Sequence, residues 1–166
     1  MTPDGRAGPR KKATAKAGAK PGGKGRADPV MLKLPTHTDA RGFLTFLEAK
    51  RHVPFEIKRI FTIYGVAPGY DRGHHAHHAC RQVLIAVAGA VTVVLDDGVS
   101  VQKVRADDPS QGILIEPMVW HTLESFAPGT VCVVLASLPY DERDYIRDLA
   151  EFRRLVGPGR AAGKGP

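Results

Sequence analysis

Cysteine and tryptophan are scarce in this chain: 166 residues hold two Cys and one Trp. Two cysteines cannot define a disulfide framework. Cys80 and Cys132 both stand in apolar surroundings and read as reduced, buried thiols of a cytoplasmic protein. A long hydrophobic run is missing as well. The longest uncharged apolar stretch, Val83 to Leu95, contains Gly89 and Thr92 and falls far short of a membrane span. No apolar segment follows the N-terminal charges, so no secretory signal is expected. The middle of the chain also lacks an excess of either charge. The formal net charge is +7, yet residues 1–28 alone carry +6, from eight Lys/Arg against two Asp, and the last ten residues carry +2. Residues 29–156 come to −1. This distribution describes tails around a neutral domain, with neither a specific nucleic-acid surface nor a membrane partner.

What is present supports one domain of ordinary size. Hydrophobic residues make up 43% of the chain and charged residues 25%, enough to bury a core. Residues 1–28 are Ala, Gly, Pro, Lys and Arg with almost nothing to bury, and are expected to form a disordered basic arm. Residues 157–166 are expected to be a disordered C-terminal tail. Between them, residues 29–156 read as short strands and turns. Arg81 to Ala88 and Val91 to Leu95 are apolar runs divided by Gly89. Asp96-Asp97-Gly98 is a tight-turn signal, with Val99 to Val104 as the returning strand. Gly112 to Ile115, Trp120 to Phe126 and Val131 to Ser137 are further strands. Such spacing predicts an antiparallel sandwich or barrel. From Asp141, a plausible N-cap, the apolar positions Tyr145, Leu149, Phe152 and Val156 fall on one face of a C-terminal helix, and Arg147, Arg153 and Arg154 suit its later turns.

Four of the seven histidines lie in Arg72-Gly73-His74-His75-Ala76-His77-His78. On a strand His75 and His77, two apart, point to the same face. Buried together they would need partners on four ring nitrogens, which makes a purely structural pair costly. Two chemistries use such a pair. Imidazoles can ligate a transition metal, usually with a further His and a carboxylate, or they can move protons near neutral pH.

His75-x-His77, then Gln82 and Gly89, resembles the first motif of the cupin superfamily, and Gly112, Pro117 and His121 resemble its second. The metal-binding members carry a glutamate where this chain has Gln82, a neutral and weaker ligand, and a glycine where Met118 follows Pro117. A more specific likeness runs from about Asp39 to Phe152. Arg41-Gly42-x-Leu44, Pro54-Phe55-x-Ile57-Lys58-Arg59, Arg72-Gly73-x-His75-Ala76-His77, Leu95-Asp96-Asp97-Gly98, Val119-Trp120-His121 and Tyr140-Asp141-Glu142-x-Asp144-Tyr145-Ile146-Arg147 occur in the order found in the nucleotide-sugar 3,4-ketoisomerases, which are related to the dTDP-sugar 3,5-epimerases.

That resemblance implies an all-β cupin jelly roll with a C-terminal α-helix, assembled as a cytoplasmic homodimer, with no metal and no cofactor. It implies a reaction in deoxyamino-sugar biosynthesis that moves the ketone of a dTDP-linked 4-keto-6-deoxy sugar from carbon 4 to carbon 3 through an enediolate. His75 corresponds to the base. His77 would assist the proton, and His121 would hold the pyrophosphate or the enediolate. Arg59, Arg72 and Arg41 are candidates for the diphosphate, because a guanidinium pairs phosphate in a bidentate fashion. Gln82 and Trp120 are candidates for the sugar. The better-known ketoisomerases carry two tyrosines where this chain has Phe61-Thr62. Thr62 is therefore placed with the substrate, and Tyr64, on the same strand face, as the replacement proton carrier. The substitution leaves a non-catalytic sugar-nucleotide binder as an alternative, and the histidines leave a metal-dependent cupin enzyme.

Overall fold

The computed structural model describes residues 29–157. The expected basic arm (1–28) and, apart from Gly157, the expected C-terminal tail lie outside the described residues.

Twelve strands and one α-helix follow one another in the described residues: β1 (Met31–Lys33), β2 (Thr36–Asp39), β3 (Gly42–Thr45), β4 (Arg59–Tyr64), β5 (Arg72–His77), β6 (Gln82–Ala88), β7 (Val91–Asp96), β8 (Val101–Ala106), β9 (Gln111–Ile115), β10 (Trp120–Glu124), β11 (Val131–Ala136), β12 (Tyr145–Ile146) and α1 (Leu149–Val156). They form two antiparallel five-stranded sheets, ordered β1-β9-β6-β11-β4 and β12-β5-β10-β7-β8, with β2-β3 as a separate ribbon. This is the expected all-β jelly roll with a C-terminal helix.

The alternation of β7 shows how the main core arises. Val91, Val93 and Leu95 point inward and meet Leu84, Ile113, Cys132 and Val134 from the facing sheet. The run β6 is apolar on both faces for a different reason. Its other side, Val83 and Ile85, is covered by Leu34, Val53 and Phe55 from the N-terminal segments. A third cluster, Ala76, Ile146 and Phe152, seats α1 on the outer face of the second sheet.

The turn after β7 forms where Asp-Asp-Gly places it. Asp96 accepts from the Gly98 amide, Asp97 accepts from Val99 and Ser100, and Gly98 takes φ +87°. The helix begins later than expected. Asp141 caps only a 3₁₀ turn, Glu142–Asp144, and the α-helix starts at Leu149 with Asp148 as its N-cap, accepting from the Glu151 amide. The spacing Asp148-x-x-Glu151 was the stronger capping signal. Tyr145 therefore leaves the helix and pairs, in β12, with His77.

Candidate active site

The open edges of the two sheets carry β4 in one and β5 and β12 in the other. Between them lies a cavity of about 90 Å³ lined by Phe61, Ile63, Gly73, His75, Gln82, Leu84, Ile115, His121, Leu123, Val134 and Tyr145. It is small beside the ~300–1,000 Å³ usual for ligand pockets. It therefore suits the reacting end of a ligand whose remainder lies outside.

The backbone of β5 aims the first histidine. Gly73 has φ +86°, and a Cβ there would stand 2.7 Å from the His121 carbonyl oxygen, so only glycine fits. With His74 also left-handed at φ +57°, the ladder to β10 shifts register beside His121. The Gly73 carbonyl then faces back onto its own strand and accepts from His75 Nδ1 at 3.0 Å. With the proton on Nδ1, His75 keeps a free lone pair on Nε2. Burial lowers its pKa, and the positive charge of Arg147 acts in the same direction, so it is a neutral base at pH 7.

His77 is held quite differently. Its Nδ1 donates to Asp144 Oδ2 at 2.9 Å, since a carboxylate can only accept, and its Nε2 accepts from the Gln82 amide at 2.9 Å. It is 2% exposed, with both ring nitrogens engaged. Burial, followed by repulsion from His75, lowers its pKa to about 4. Asp144 is anchored in turn, accepting from the amides of Ala79 and Cys80. His121 is buried beside His75, their ring centroids 4.4 Å apart, and burial holds its pKa well below the ordinary value.

The nitrogens of His75, His77 and His121 lie within 4.8 Å of one another, near enough to share an ion. The donor set does not fit a resident divalent metal. Ligation by His77 Nε2 would break its bond to Gln82, and position 82 supplies an amide where a charge-balancing carboxylate is needed.

Tyr145 completes the cavity. Its ring packs 5.0 Å from His75 and 4.4 Å from His77, under the Arg147 guanidinium. Its hydroxyl accepts from Arg59 Nη2 at 3.5 Å. Among the described residues, Arg59 Nε is the buried side-chain nitrogen left without a partner. Asp144 and Tyr145 escaped the sequence reading because the 4-3-4 spacing of apolar positions was assigned to one helix; the better cap at Asp148 would have released them.

The remaining candidates lie elsewhere. Thr62, Tyr64 and Arg72 line a shallow groove of about 280 Å³, joined to the cavity wall through Ile63. Tyr64 is 70% exposed. Trp120 packs on Phe152 of α1 rather than in the cavity. Arg41 projects from the β2-β3 ribbon, paired with Asp39 in solvent.

Two antiparallel sheets closing over a buried histidine cluster give this protein a cupin-like all-β architecture. The chain belongs to the family described as FdtA: WxcM-like, C-terminal, whose family model matches residues 27–157. It is 40% identical over 118 residues to the TDP-4-oxo-6-deoxy-alpha-D-glucose-3,4-oxoisomerase of Aneurinibacillus thermoaerophilus, spanning 71% of this chain and 85% of that one. A crystal structure of a 3,4-ketoisomerase from Helicobacter canadensis superposes with TM-score 0.75 at 40% identity, covering 78% of this chain and 97% of that one. A histidine-to-asparagine mutant of the 3,4-ketoisomerase QdtA from Thermoanaerobacterium thermosaccharolyticum, in complex with TDP-4-keto-6-deoxyglucose, gives TM-score 0.75 at 36% identity over 76% of this chain and 92% of that one. With these relatives, the chain is an isomerase of the 3,4-ketoisomerase group.

Proposed function

We propose that the protein moves the ketone of a dTDP-linked 4-keto-6-deoxyhexose from carbon 4 to carbon 3, with His75 as the base. One observation carries the mechanism: His75 Nδ1 is tied to the Gly73 carbonyl, leaving Nε2 free and unprotonated in the cavity. A hydrogen beside a ketone is acidic because its loss gives an enolate. A neutral imidazole in place can accept it, and general base catalysis of this kind is worth ~10²–10⁴ in rate. His77, fixed between Asp144 and Gln82, is a positioning residue that keeps the Gln82 amide turned to the sugar side of the cavity. His121, on the neighbouring strand β10, bounds the site beside His75. Arg59 stands where negative charge develops on the sugar oxygens, and Arg72, in the adjoining groove, is placed for the diphosphate. The complexes of QdtA with TDP and with TDP-4-keto-6-deoxyglucose support this choice of ligand.

The assembly we propose is a homodimer. Phe43 is 82% and Leu44 59% exposed on the ribbon that carries Arg41, and Ile60 and Tyr64 are exposed on the outward face of β4. Apolar surface of this kind favours coverage by a second copy. We place the protein in the cytoplasm, where its two free, buried cysteines stay reduced. No helix among the described residues is long and apolar enough to cross a membrane.

Incubating the protein with TDP-4-keto-6-deoxyglucose in deuterated water, and following the sugar by NMR, tests the reaction. The 3-keto product should appear with solvent deuterium at carbon 4, and recovered substrate with deuterium at carbon 3. His75→Asn should abolish both while leaving the circular dichroism unchanged. Label at carbon 5 alone would make the protein an epimerase, and saturable TDP binding without turnover would make it a binding module; either outcome refutes the proposal.

A further inference from the structure

Building on the ketoisomerase reading above, we infer that Tyr145 is a second catalytic residue: its phenol passes the oxygen-bound proton between the two sugar oxygens while His75 passes the carbon-bound one. Moving a ketone by one carbon relocates two protons. Carbon 3 and its oxygen each lose one, and carbon 4 and its oxygen each gain one. His75 has a single free nitrogen and serves one of these transfers.

The lining of the cavity leaves few groups for the other transfer. His77 has both nitrogens engaged. His121 is fully buried and neutral, with its Nδ1 turned to the Val119 carbonyl, so its other nitrogen has no proton to give. Gln82 can bond to an oxygen but cannot exchange a proton with it. A hydroxyl both donates and accepts, and Tyr145 has the only one among the residues lining the cavity. Pairing with His77 across β12 and β5 fixes its backbone, and the His75 and His77 rings and the Arg147 guanidinium fix its ring. Arg59 Nη2 brings a positive charge to 3.5 Å from the phenol oxygen, where it opposes negative charge on either oxygen as the proton moves.

The steps balance without a co-reactant. The carbon 3 proton goes to His75 Nε2, the C–H pair becomes the C3=C4 bond, and the carbonyl π pair moves onto the carbon 4 oxygen, which takes the phenolic proton. The proton on the carbon 3 oxygen then returns to the phenolate, its O–H pair closes the new C3=O bond, and the C3=C4 pair takes the His75 proton at carbon 4. Both residues end as they began. Tyr64 has no part in this, being exposed outside the cavity.

Tyr145→Phe removes one oxygen and keeps the ring that packs on the histidines. In deuterated water with TDP-4-keto-6-deoxyglucose, ketone transfer should fall ~10²–10⁴-fold, while deuterium continues to enter carbon 3 of recovered substrate. The ratio of exchange to transfer should then rise at least about tenfold over the unaltered protein, a change that loss of a merely structural contact would not produce. Phe61→Tyr in that background returns a hydroxyl to the opposite wall and should recover part of the transfer. A Tyr145→Phe protein that keeps its transfer rate, or that loses exchange and transfer in equal proportion with its fold intact, overturns the inference. Absence of both ketone transfer and exchange in the unaltered protein would instead refute the ketoisomerase reading, and this inference with it.

Discussion

Asp144 joins the site to the fold, and two substitutions there separate its charge from its shape. Its carboxylate accepts three hydrogen bonds, from His77 Nδ1 at 2.9 Å and from the amides of Cys80 at 3.2 Å and Ala79 at 2.8 Å. In Asp144→Asn the amide oxygen can stay opposite His77 and Cys80, turning its NH₂ toward the more exposed Ala79 amide. His77 keeps its tautomer, and the loss is that of charge assistance plus one backbone bond made good by water. Charge-assisted hydrogen bonds are worth about twice neutral ones, so the cost is about 2 kcal/mol. Asp144→Ala leaves the His77 Nδ1–H and the Cys80 amide buried without acceptors, each costing ~1–3 kcal/mol, for a total of about 5 kcal/mol with the cavity included. Urea unfolding at pH 7.5 measures both. At ~4 °C per kcal/mol for a domain of this size, the melting temperatures should fall by about 8 and 20 °C. Equal losses for the two variants, or losses below about 1 kcal/mol for both, would refute the view that this carboxylate holds His77 in place.

The same network predicts a pH dependence. The pKa of His77 is lowered from 6.5 to about 4 in the folded state, so the unfolded chain binds the proton more readily. Its contribution is fully present above pH 6.5 and is lost as the pH falls toward 4; it amounts to about 3 kcal/mol. Equilibrium unfolding between pH 8 and 4 should show the loss, and a stability constant across that window would contradict the burial of a neutral His77. Gly73→Ala should cost about 3 kcal/mol, from the left-handed backbone and the close approach to the His121 carbonyl, and should weaken catalysis by displacing His75; calorimetry showing native stability would contradict that geometry. Gln82→Glu supplies the missing carboxylate to the three imidazoles and should convert the cluster to one that retains zinc or iron through dialysis, read by elemental analysis on protein without a polyhistidine tag. Metal content as high in the unaltered chain would show that Gln82 does not set the donor chemistry.

Much of the fold was legible because strand signals are local. The period-two alternation of Val91, Val93 and Leu95, the Asp-Asp-Gly turn and the placement of His75 and His77 on one face all follow from backbone geometry within a few residues. The start of the helix was not read correctly, because a 4-3-4 spacing of apolar residues carried across a capping signal at Asp148 and absorbed Tyr145 into the wrong element. The site was half legible. His75, Gln82 and His121 line the cavity, His77 is bonded to Gln82, and Arg59 reaches the cavity through Tyr145. Tyr64, Thr62 and Arg72 lie along the adjoining groove, Trp120 turns to the helix, and Arg41 stays in solvent.

What the sequence determined by itself was residue type and face: which runs are apolar, and which pair of imidazoles shares one face of a strand. What only the tertiary structure decided was who partners whom. The bond from His77 to Asp144 closes across 67 positions of chain, and His77 differs from His75 because its ring finds a carboxylate and an amide while that of His75 finds its own strand's carbonyl. Alternation along a strand says which way a side chain points. The acceptor His77 meets there, and hence its tautomer and its chemistry, is set by a distant turn brought alongside through burial of a core that has no part in the reaction.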